Sequence, residues 1–218
     1  MNKMINFLNA IPTLERWSRR RKVSRLKRKY EKWLSRQEEL PMPHYGKQLV
    51  VAEYGRLFNT PVLVETGTYN GQMVMAMLER FKQIYSIELN ATLHANAQHR
   101  FSKHRHIHIF HGSSDQILPL VLSSIDQACL FWLDAHYSGG KTAKGDLSTP
   151  IISELTLILD HHAAAQHVLL IDYARCFNGK DDYPTLTQVR DLILRKHPDW
   201  CVEVRDDIIR AHAIKKTY

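Results

Sequence analysis

Long hydrophobic runs are scarce in this sequence of 218 residues. Apolar runs such as Cys129–Leu133 and Val168–Ile171 are far shorter than the ~20 residues that a membrane-spanning helix needs. The N-terminus also has no apolar segment followed by a small-residue cleavage site, as a secretory signal would have. These absences predict a protein without a membrane span or a secretory signal.

Cysteine is equally scarce. The three cysteines, Cys129, Cys176 and Cys201, lie far apart and include no Cys-x-x-Cys pair. A zinc knuckle is therefore excluded, and an odd, widely spaced set does not predict a disulfide framework. The expectation that follows is a reducing, cytoplasmic location.

Acidic residues are almost missing from the N-terminal end. Residues 1–36 have 12 lysines and arginines but two acids, a net charge of +10, whereas residues 37–218 have a net charge of −2. Apolar residues at spacings of three and four predict that residues 1–40 form a basic amphipathic helical arm, which Pro12 divides into two helices. Such an arm suits an anionic membrane surface or an acidic partner, so a peripheral position at a membrane is one expectation.

Two other interpretations of the arm stay open. Its apolar stripe can pack on the rest of the protein while its charges are solvated, which is the common fate of amphipathic helices. An arginine-rich, acid-poor segment is also typical of a mitochondrial presequence, although the arm has few serines and no evident cleavage site.

Strand and helix patterns alternate after Pro41-Met42-Pro43, which predicts a second domain over residues 41–218. Five strands are predicted at Val62–Glu65, Ile84–Glu88, Ile107–Phe110, Cys129–Asp134 and Val168–Asp172. Helices are predicted at residues 72–82, 91–103, 115–124, 150–163 and 184–196. Two further strands, Cys201–Arg205 and Ile208–Ile214, are joined by Asp206-Asp207 and predict a hairpin. This order predicts an α/β fold with a mostly parallel seven-stranded sheet, helices on both faces and an antiparallel terminal strand.

A glycine-containing loop follows the first predicted strand. Its residues are Glu65, Thr66, Gly67, Thr68, Tyr69, Asn70 and Gly71, and a predicted helix begins directly after them. Glycine lets a backbone turn tightly and approach a ligand closely, and a helix N-terminus offers free N–H groups. A lone Gly-x-x-x-Gly is weak evidence, because many strand–helix turns contain glycine.

Acidic residues accompany the next two predicted strands. Glu88 ends the second strand, 21 residues after Gly67, which is about the distance at which an acid accepts hydrogen bonds from ribose hydroxyls. Asp115 follows the third strand, with Ser114 beside it, and can accept from an adenine amine. The alternative for these residues is that they cap the helices that follow.

With these motifs the chain resembles the class I S-adenosylmethionine-dependent methyltransferases over residues 45–214. The segment Glu65–Gly71 looks like the first motif of that family, Glu88 like its ribose-binding acid and Asp115 like its adenine-side residue. The resemblance implies a Rossmann-like fold, S-adenosylmethionine as the cofactor, and a terminal hairpin like the one predicted above. Nicotinamide-dependent enzymes usually have Gly-x-Gly-x-x-Gly instead, a pattern that fails here because residue 69 is Tyr.

Polar residues also follow the fourth and fifth predicted strands. Asp134 and His136 follow the fourth strand, Asp172 and Arg175 follow the fifth, and ligands of open α/β sheets bind beyond such strand ends. A weaker similarity to metal-dependent O-methyltransferases implies that Asp134 and Asp172 hold Mg²⁺, with Tyr173 where a further ligand is expected. The alternative is that Asp134 contacts the methionine amine of the cofactor.

The same region supplies the candidate catalytic and substrate-binding residues. His136 is the candidate general base, because an ordinary histidine pKa of ~6.5 suits proton removal near neutrality. Asp134 and Asp172 complete the predicted catalytic set. Contacts to the substrate are predicted for His136, Tyr137, Lys144 and Arg175.

These patterns favour methyl transfer to a small or glycosidic acceptor, at a hydroxyl. The protein needs chiefly to align the acceptor with the methyl group, since the cofactor already activates it. One alternative is a non-catalytic nucleoside-binding or membrane-associated module that acts through the basic arm. Another is an RNA-modifying methyltransferase that clamps RNA with the arm. Nucleic acid is the less favoured partner, because residues 37–218 are slightly acidic and no Asn/Asp-Pro-Pro-aromatic motif follows the fourth strand.

Overall fold

The computed structural model describes residues 23–36, 41–134 and 149–214. These residues fall into two compact units, which divide between Leu49 and Val50. The predicted domain boundary after residue 40 stays a prediction. Four residues singled out above lie outside the described residues, namely Pro12, His136, Tyr137 and Lys144.

The first unit contains helical residues 23–35, here α1, and the start of a helix α2 that spans His44–Leu57. The Tyr30 ring stacks on Trp33 and lies beside Tyr45, with ring centroids 5.9 Å apart in both pairs. A Cβ atom at Gly46 would lie 2.7 Å from the Tyr30 ring, so this contact depends on glycine. The basic side chains of α1 are exposed, and they include Arg25, Lys27, Arg28, Lys29 and Lys32.

The second unit is built on one seven-stranded sheet. Its strands are β1 Val62–Thr66, β2 Gln83–Glu88, β3 Ile107–His111, β4 Cys129–Leu133, β5 Val168–Ile171, β6 Trp200–Arg205 and β7 Ile208–Ala213. They are ordered β3-β2-β1-β4-β5-β7-β6, with β1 to β5 parallel and β7 antiparallel to both β5 and β6. The predicted α/β fold with an antiparallel terminal hairpin is therefore confirmed.

Five further helices connect or flank the strands. They are α3 Gln72–Met77, α4 Ala91–Phe101, α5 Ser114–Ser123, α6 Ile151–Leu159 and α7 Leu186–Lys196. The prediction of a helix over residues 72–82 was too long, because the Lys82 N–H bonds to the Pro61 carbonyl at 2.8 Å and leads the chain into β2. The prediction of a helix over residues 150–163 was also too long, because the chain turns after Leu159 and the His161 ring bonds to the carbonyl of Ile125.

Both faces of the sheet are buried. On one face Val64 and Phe131 belong to a core cluster with residues of α5, α6 and α7, such as Leu155. Successive strand residues point to opposite faces, and the alternate residues Leu63 and Leu130 are as fully buried. Helices on both faces explain why the central parallel strands are continuous apolar runs.

The β6–β7 turn reaches back to the end of β5. Asp206 and Asp207 have φ values of 54° and 65°, as a two-residue hairpin turn requires. The Asp207 carbonyl accepts the Ala174 N–H at 2.9 Å, and its carboxylate accepts the Arg175 N–H at 2.9 Å. The hairpin thus fixes the loop that follows β5. Within the described part of the chain, none of the helices is both long and apolar enough to cross a bilayer.

Candidate functional site

The loop after β1 folds over the end of β2. The N–H groups of Gly67 and Thr68 both bond to the Ile87 carbonyl, at 2.9 Å and 3.2 Å. Gly67 has a φ of 90° and Gly71 a φ of 62°, conformations that favour glycine. A Cβ atom on Gly71 would also lie 2.8 Å from the Phe101 ring. The loop therefore needs glycine both for its turn and for the packing of α4.

Glu88 holds this loop through its carboxylate. Its Oε2 accepts the Tyr69 N–H at 2.7 Å, and its Oε1 accepts the Asn90 N–H at 2.9 Å. Each carboxylate oxygen has capacity for a further hydrogen bond, so ribose hydroxyls can still be bound. Glu88 does not cap α4, because Asn90 does so by accepting the N–H groups of Thr92 and Leu93.

Glu65 lies under the same loop and is 2% exposed. The Ser86 hydroxyl donates to its Oε2, and the Thr68 hydroxyl in turn lies 2.5 Å from the Ser86 oxygen. Burial raises the pKa of Glu65 to about 8, the Ser86 hydrogen bond opposes that rise, and Asp134 and Glu88 add to it. Glu65, Glu88 and Asp134 thus lie at the carboxyl ends of neighbouring strands, and in their ionised forms they give a negative potential that suits a cationic ligand.

Ser114 and Asp115 occupy the start of α5, at the end of β3. Ser114 is buried, and the Ser113 hydroxyl donates to the Asp115 carboxylate. A carboxylate in the first turn is favourable there, because the N-terminal end of a helix carries partial positive charge. The predicted adenine contacts of Ser114 and Asp115 stay a prediction.

A small pocket lies at the ends of β4 and β5. Both Asp134 and Asp172 line it, and their backbones are fixed because the Asp134 N–H bonds to Thr66 O and the Asp172 N–H to Leu133 O, each at 3.0 Å. The structure therefore brings the two predicted acids to one cavity. Its lining comprises Leu133, Asp134, Thr149, Ile151, Glu154, Ile171, Asp172, Phe177 and Tyr183.

Tyr173 and Arg175 follow Asp172 on the next turn. The Tyr173 N–H donates to Asp172 Oδ1 at 2.8 Å, and the Tyr173 backbone is left-handed with a φ of 60°. Burial raises the pKa of the Tyr173 phenol to about 12, and the charges of Asp134 and Asp172 add to this effect. The guanidinium of Arg175 lies 4.6 Å from the Tyr173 ring centre and forms an ion pair with Asp207. The predicted substrate contact of Arg175 stays a prediction, and its charge is already paired.

Glu154 was missed by sequence reasoning. Burial raises the pKa of this carboxyl to about 7, and the hydroxyls of Ser114 and Thr66 oppose that rise. It occupies the apolar stripe of α6 beside Ile151, Leu155 and Ile158, all of which are buried. An acid at a core-facing helix position was the signal that could have found it.

The described residues do not fit a Mg²⁺ centre. Within residues 23–36, 41–134 and 149–214 there is no group of three or more acidic, histidine or cysteine side chains arranged to hold a metal ion. Mg²⁺ requires a nearly octahedral set of oxygen ligands, and Tyr173 offers a neutral phenol where a further ligand was expected. The implied Mg²⁺ is thus not supported by the described residues.

The rest of the site fits an adenine nucleoside with positive charge. Three features occur together at the ends of β1 and β2. They are the turns at Gly67 and Gly71, the Glu88 carboxylate, which can accept further hydrogen bonds, and the buried acid Glu65. The general-base candidate His136 and the predicted substrate contacts Tyr137 and Lys144 lie outside the described residues.

Comparison with known proteins gives structural similarity at low sequence identity. No protein-family model and no curated protein matches the chain. The O-methyltransferase TomG from Streptomyces achromogenes, in complex with S-adenosylmethionine, is similar over 85% of this chain and 87% of its own, with 14% identity and a TM-score of 0.57. An O-methyltransferase from Bacillus cereus is similar over 78% and 81%, with 10% identity and a TM-score of 0.56. The 23S rRNA methyltransferase ErmE is similar over 78% and 68%, with 14% identity and a TM-score of 0.50. The chain therefore has the Rossmann-like fold of these methyltransferases.

Proposed function

We propose that this protein is an S-adenosylmethionine-dependent methyltransferase that acts on a hydroxyl of a small or glycosidic acceptor. The observation that carries the proposal is the Glu88 carboxylate, which holds the Tyr69 and Asn90 N–H groups beside the Gly67–Gly71 turn. The fold shared with solved methyltransferases supports it.

The chain's own residues divide the work of binding. Glu88 accepts hydrogen bonds from the ribose, and the glycine turn lets the backbone approach the nucleoside. The carboxyls of Glu65 and Asp134 lie where a cation is to be held, and a bound cation favours the charged form of Glu65. The bound cofactor supplies a methyl group on a positively charged sulfur.

The acceptor is held beyond β4 and β5. Asp134 and Asp172 face this pocket and orient a hydroxyl in line with the methyl group, which is a proximity effect. His136 removes the hydroxyl proton, as its position after β4 predicts. Methylation at oxygen is favoured because two similar structures are O-methyltransferases, whereas the similarity to ErmE keeps RNA as the alternative acceptor.

The first test is calorimetric titration of the full chain with S-adenosylmethionine. Wild type should bind at one site, and Glu88→Gln should abolish or severely weaken binding because a neutral amide replaces the carboxylate that holds the loop. Glu79→Gln is the matched control, since Glu79 is exposed and follows α3 rather than belonging to the loop. Absence of binding to a folded wild-type protein would overturn the proposed function.

A second proposal concerns residues 1–36 and their net charge of +10. We propose that this segment binds an anionic membrane surface from the cytoplasm, because the described basic side chains of α1 are exposed. Sedimentation with vesicles of neutral or partly anionic lipid tests it, and binding should require the anionic lipid. RNA binding, with a logarithm of affinity that falls linearly with the logarithm of salt concentration, would favour the RNA-modifying alternative.

A further inference from the structure

Glu154 is a buried acid that the function proposed above does not use. Its side chain is 1% exposed, and acids are almost never fully buried unless they are paired. Among the described residues its Oε1 has no hydrogen-bond partner. Such a group is costly to bury, so its presence requires an explanation.

The surroundings of Glu154 are acidic and apolar. It lines the pocket at the ends of β4 and β5 together with Asp134 and Asp172. The other described lining residues are chiefly apolar or aromatic, such as Phe177, and none of these described residues is a lysine or arginine. Acidic groups on low-dielectric walls focus a negative potential into this cavity.

Nearby protein groups satisfy Glu154 only in part, because the Ser114 and Thr66 hydroxyls interact with its carboxyl while Oε1 has no partner among the described residues. The hydroxyls of Ser114 and Thr66 favour its charged form, but burial outweighs them and Asp115 adds repulsion. A hydrogen-bond donor that enters the pocket from outside would supply what the protein does not.

We propose that Glu154 selects the acceptor substrate by receiving a hydrogen bond from an N–H or O–H group of a neutral or cationic molecule. Anionic acceptors are rejected, because they would lie against three acidic side chains. This inference rests on the proposed methyltransferase function, since it assigns the pocket to the acceptor of that reaction.

The same donor chemistry has a second source in the ammonium group of the cofactor. Glu154 lines the pocket together with Asp172, which is assigned to the acceptor, and with Asp134, which is also a candidate for contact with the cofactor. The experiment below separates the two sources.

Three phenols of matched shape and different charge serve as probes, namely cationic tyramine, neutral tyrosol and anionic 4-hydroxyphenylacetate. Each is titrated into the full chain saturated with S-adenosylhomocysteine, so that no reaction occurs. Wild type should bind tyramine more tightly than tyrosol and should not bind 4-hydroxyphenylacetate.

The variant Glu154→Gln keeps the shape of the side chain and removes its charge. It should weaken tyramine binding about tenfold or more, as expected for losing a hydrogen bond to a charged group, and leave S-adenosylmethionine affinity unchanged. Glu154→Asp should restore part of the affinity, because it keeps the charge on a shorter side chain. Glu79→Gln, at an exposed position, should match wild type in every titration.

The pH dependence of tyramine affinity distinguishes a direct contact with Glu154 from a purely structural role of that residue. Burial raises the pKa of Glu154 to about 7, so the charged fraction grows from about pH 6 to about pH 8 and wild-type affinity for tyramine should grow with it. The groups that face Glu154 are Asp115 from α5, Asp134 and Asp172 from the strand ends, and Tyr183 from the loop before α7. The rise should be much smaller in Glu154→Gln, in which those neighbours remain.

Each contrary outcome has a distinct meaning. If Glu154→Gln weakens S-adenosylmethionine binding instead of tyramine binding, the donor comes from the cofactor and the acceptor assignment is wrong. If wild type binds S-adenosylmethionine but binds none of the phenols, or binds 4-hydroxyphenylacetate as tightly as tyramine, the selection by Glu154 is wrong while the proposed function stands. Failure of wild type to bind S-adenosylmethionine overturns the proposed function itself.

Discussion

Nε2 of the buried His167 lies 2.9 Å from Nδ1 of the half-buried His161, and the two rings form the centre of a hydrogen-bond chain. His167 Nδ1 accepts the Cys129 N–H at 3.2 Å, so the proton of His167 must be on Nε2 and donated to His161. His161 Nε2 then donates to the carbonyls of Leu122 and Ile125, at 3.2 Å and 3.1 Å. Every ring nitrogen has a partner only when both histidines are neutral.

The hydrogen bonds of His167 and His161 predict that the protein loses stability in mild acid. Burial, with the neighbouring His161 and His162, lowers the pKa of His167 to about 3, and burial also lowers the pKa of His161. The stabilisation is complete above the unfolded pKa of ~6.5 and is lost as pH falls below it, by up to about 1.4 kcal/mol per pH unit for each proton taken up on unfolding. Urea denaturation at about pH 7.5 and pH 5 measures this loss.

The matched variant is His167→Asn, whose side-chain oxygen can still accept the Cys129 N–H but does not titrate. It should be less stable than wild type at about pH 7.5 and should lose less stability on acidification. His99→Asn, at an exposed position, should show the wild-type pH dependence. An unchanged pH dependence in His167→Asn would contradict the role assigned to the pair.

Gly71→Ala should destabilise the loop after β1. The residue has a φ of 62°, and an added Cβ would lie 2.8 Å from the Phe101 ring, so strain and overlap both oppose the methyl group. We expect a loss of about 2 kcal/mol or more in the free energy of unfolding, together with loss of S-adenosylmethionine binding. The double variant Gly71→Ala/Phe101→Leu should recover only the part due to overlap, and equal stability of wild type and Gly71→Ala would contradict the prediction.

The fold could be predicted because its local signals agree with its tertiary contacts. The strands β4 and β5 are apolar along their whole length because both sheet faces are covered, and Asp206-Asp207 is a pair that tolerates the backbone of a tight hairpin turn. The end of α3 at Met77 and the end of α6 at Leu159 could not be predicted, because hydrogen bonds to distant parts of the chain determine where these helices stop.

The candidate site was predictable only in part, for a similar reason. Glu88 could be singled out from its distance to Gly67, because both residues belong to one local strand–loop–helix–strand unit. The contact of Arg175 with Asp207 joins residues 32 positions apart, and no sequence period relates them. Glu154 was missed because the pattern of α6 is that of an ordinary apolar helix, and no motif includes this acid.

Asp207→Asn tests whether Arg175 contacts the substrate or only holds the hairpin. Asparagine tolerates the left-handed turn and can still accept the Arg175 N–H, but it removes the ion pair. Because Arg175 is partly exposed, we expect a modest stability loss of about 1 kcal/mol or less in thermal unfolding. If Arg175 binds substrate, Arg175→Ala should raise the acceptor KM well beyond Asp207→Asn, and equal effects of the two variants would leave Arg175 a purely positioning residue.

The burial of Glu65 predicts that the stability of the protein depends on pH. Its pKa is raised to about 8, chiefly by burial, so folding favours the protonated carboxyl. The sign is opposite to that of His167, because the stabilisation is present below the unfolded value of 4.5 and is lost as pH rises toward about 8. Glu65→Gln should therefore unfold at a higher temperature than wild type at about pH 9, provided that the amide keeps the hydrogen bond from Ser86.

The gain in stability should come with a loss in binding. A cationic cofactor favours the charged form of Glu65, so wild-type affinity for S-adenosylmethionine should rise between about pH 7 and pH 9. The affinity for S-adenosylhomocysteine, which has no charge on sulfur, should rise less, and Glu65→Gln should remove most of the difference between the two ligands. Calorimetry with both ligands at each pH measures the ratio of the two affinities. A ratio independent of pH in wild type would show that Glu65 does not interact with the positive charge, and would place the sulfonium closer to Asp134.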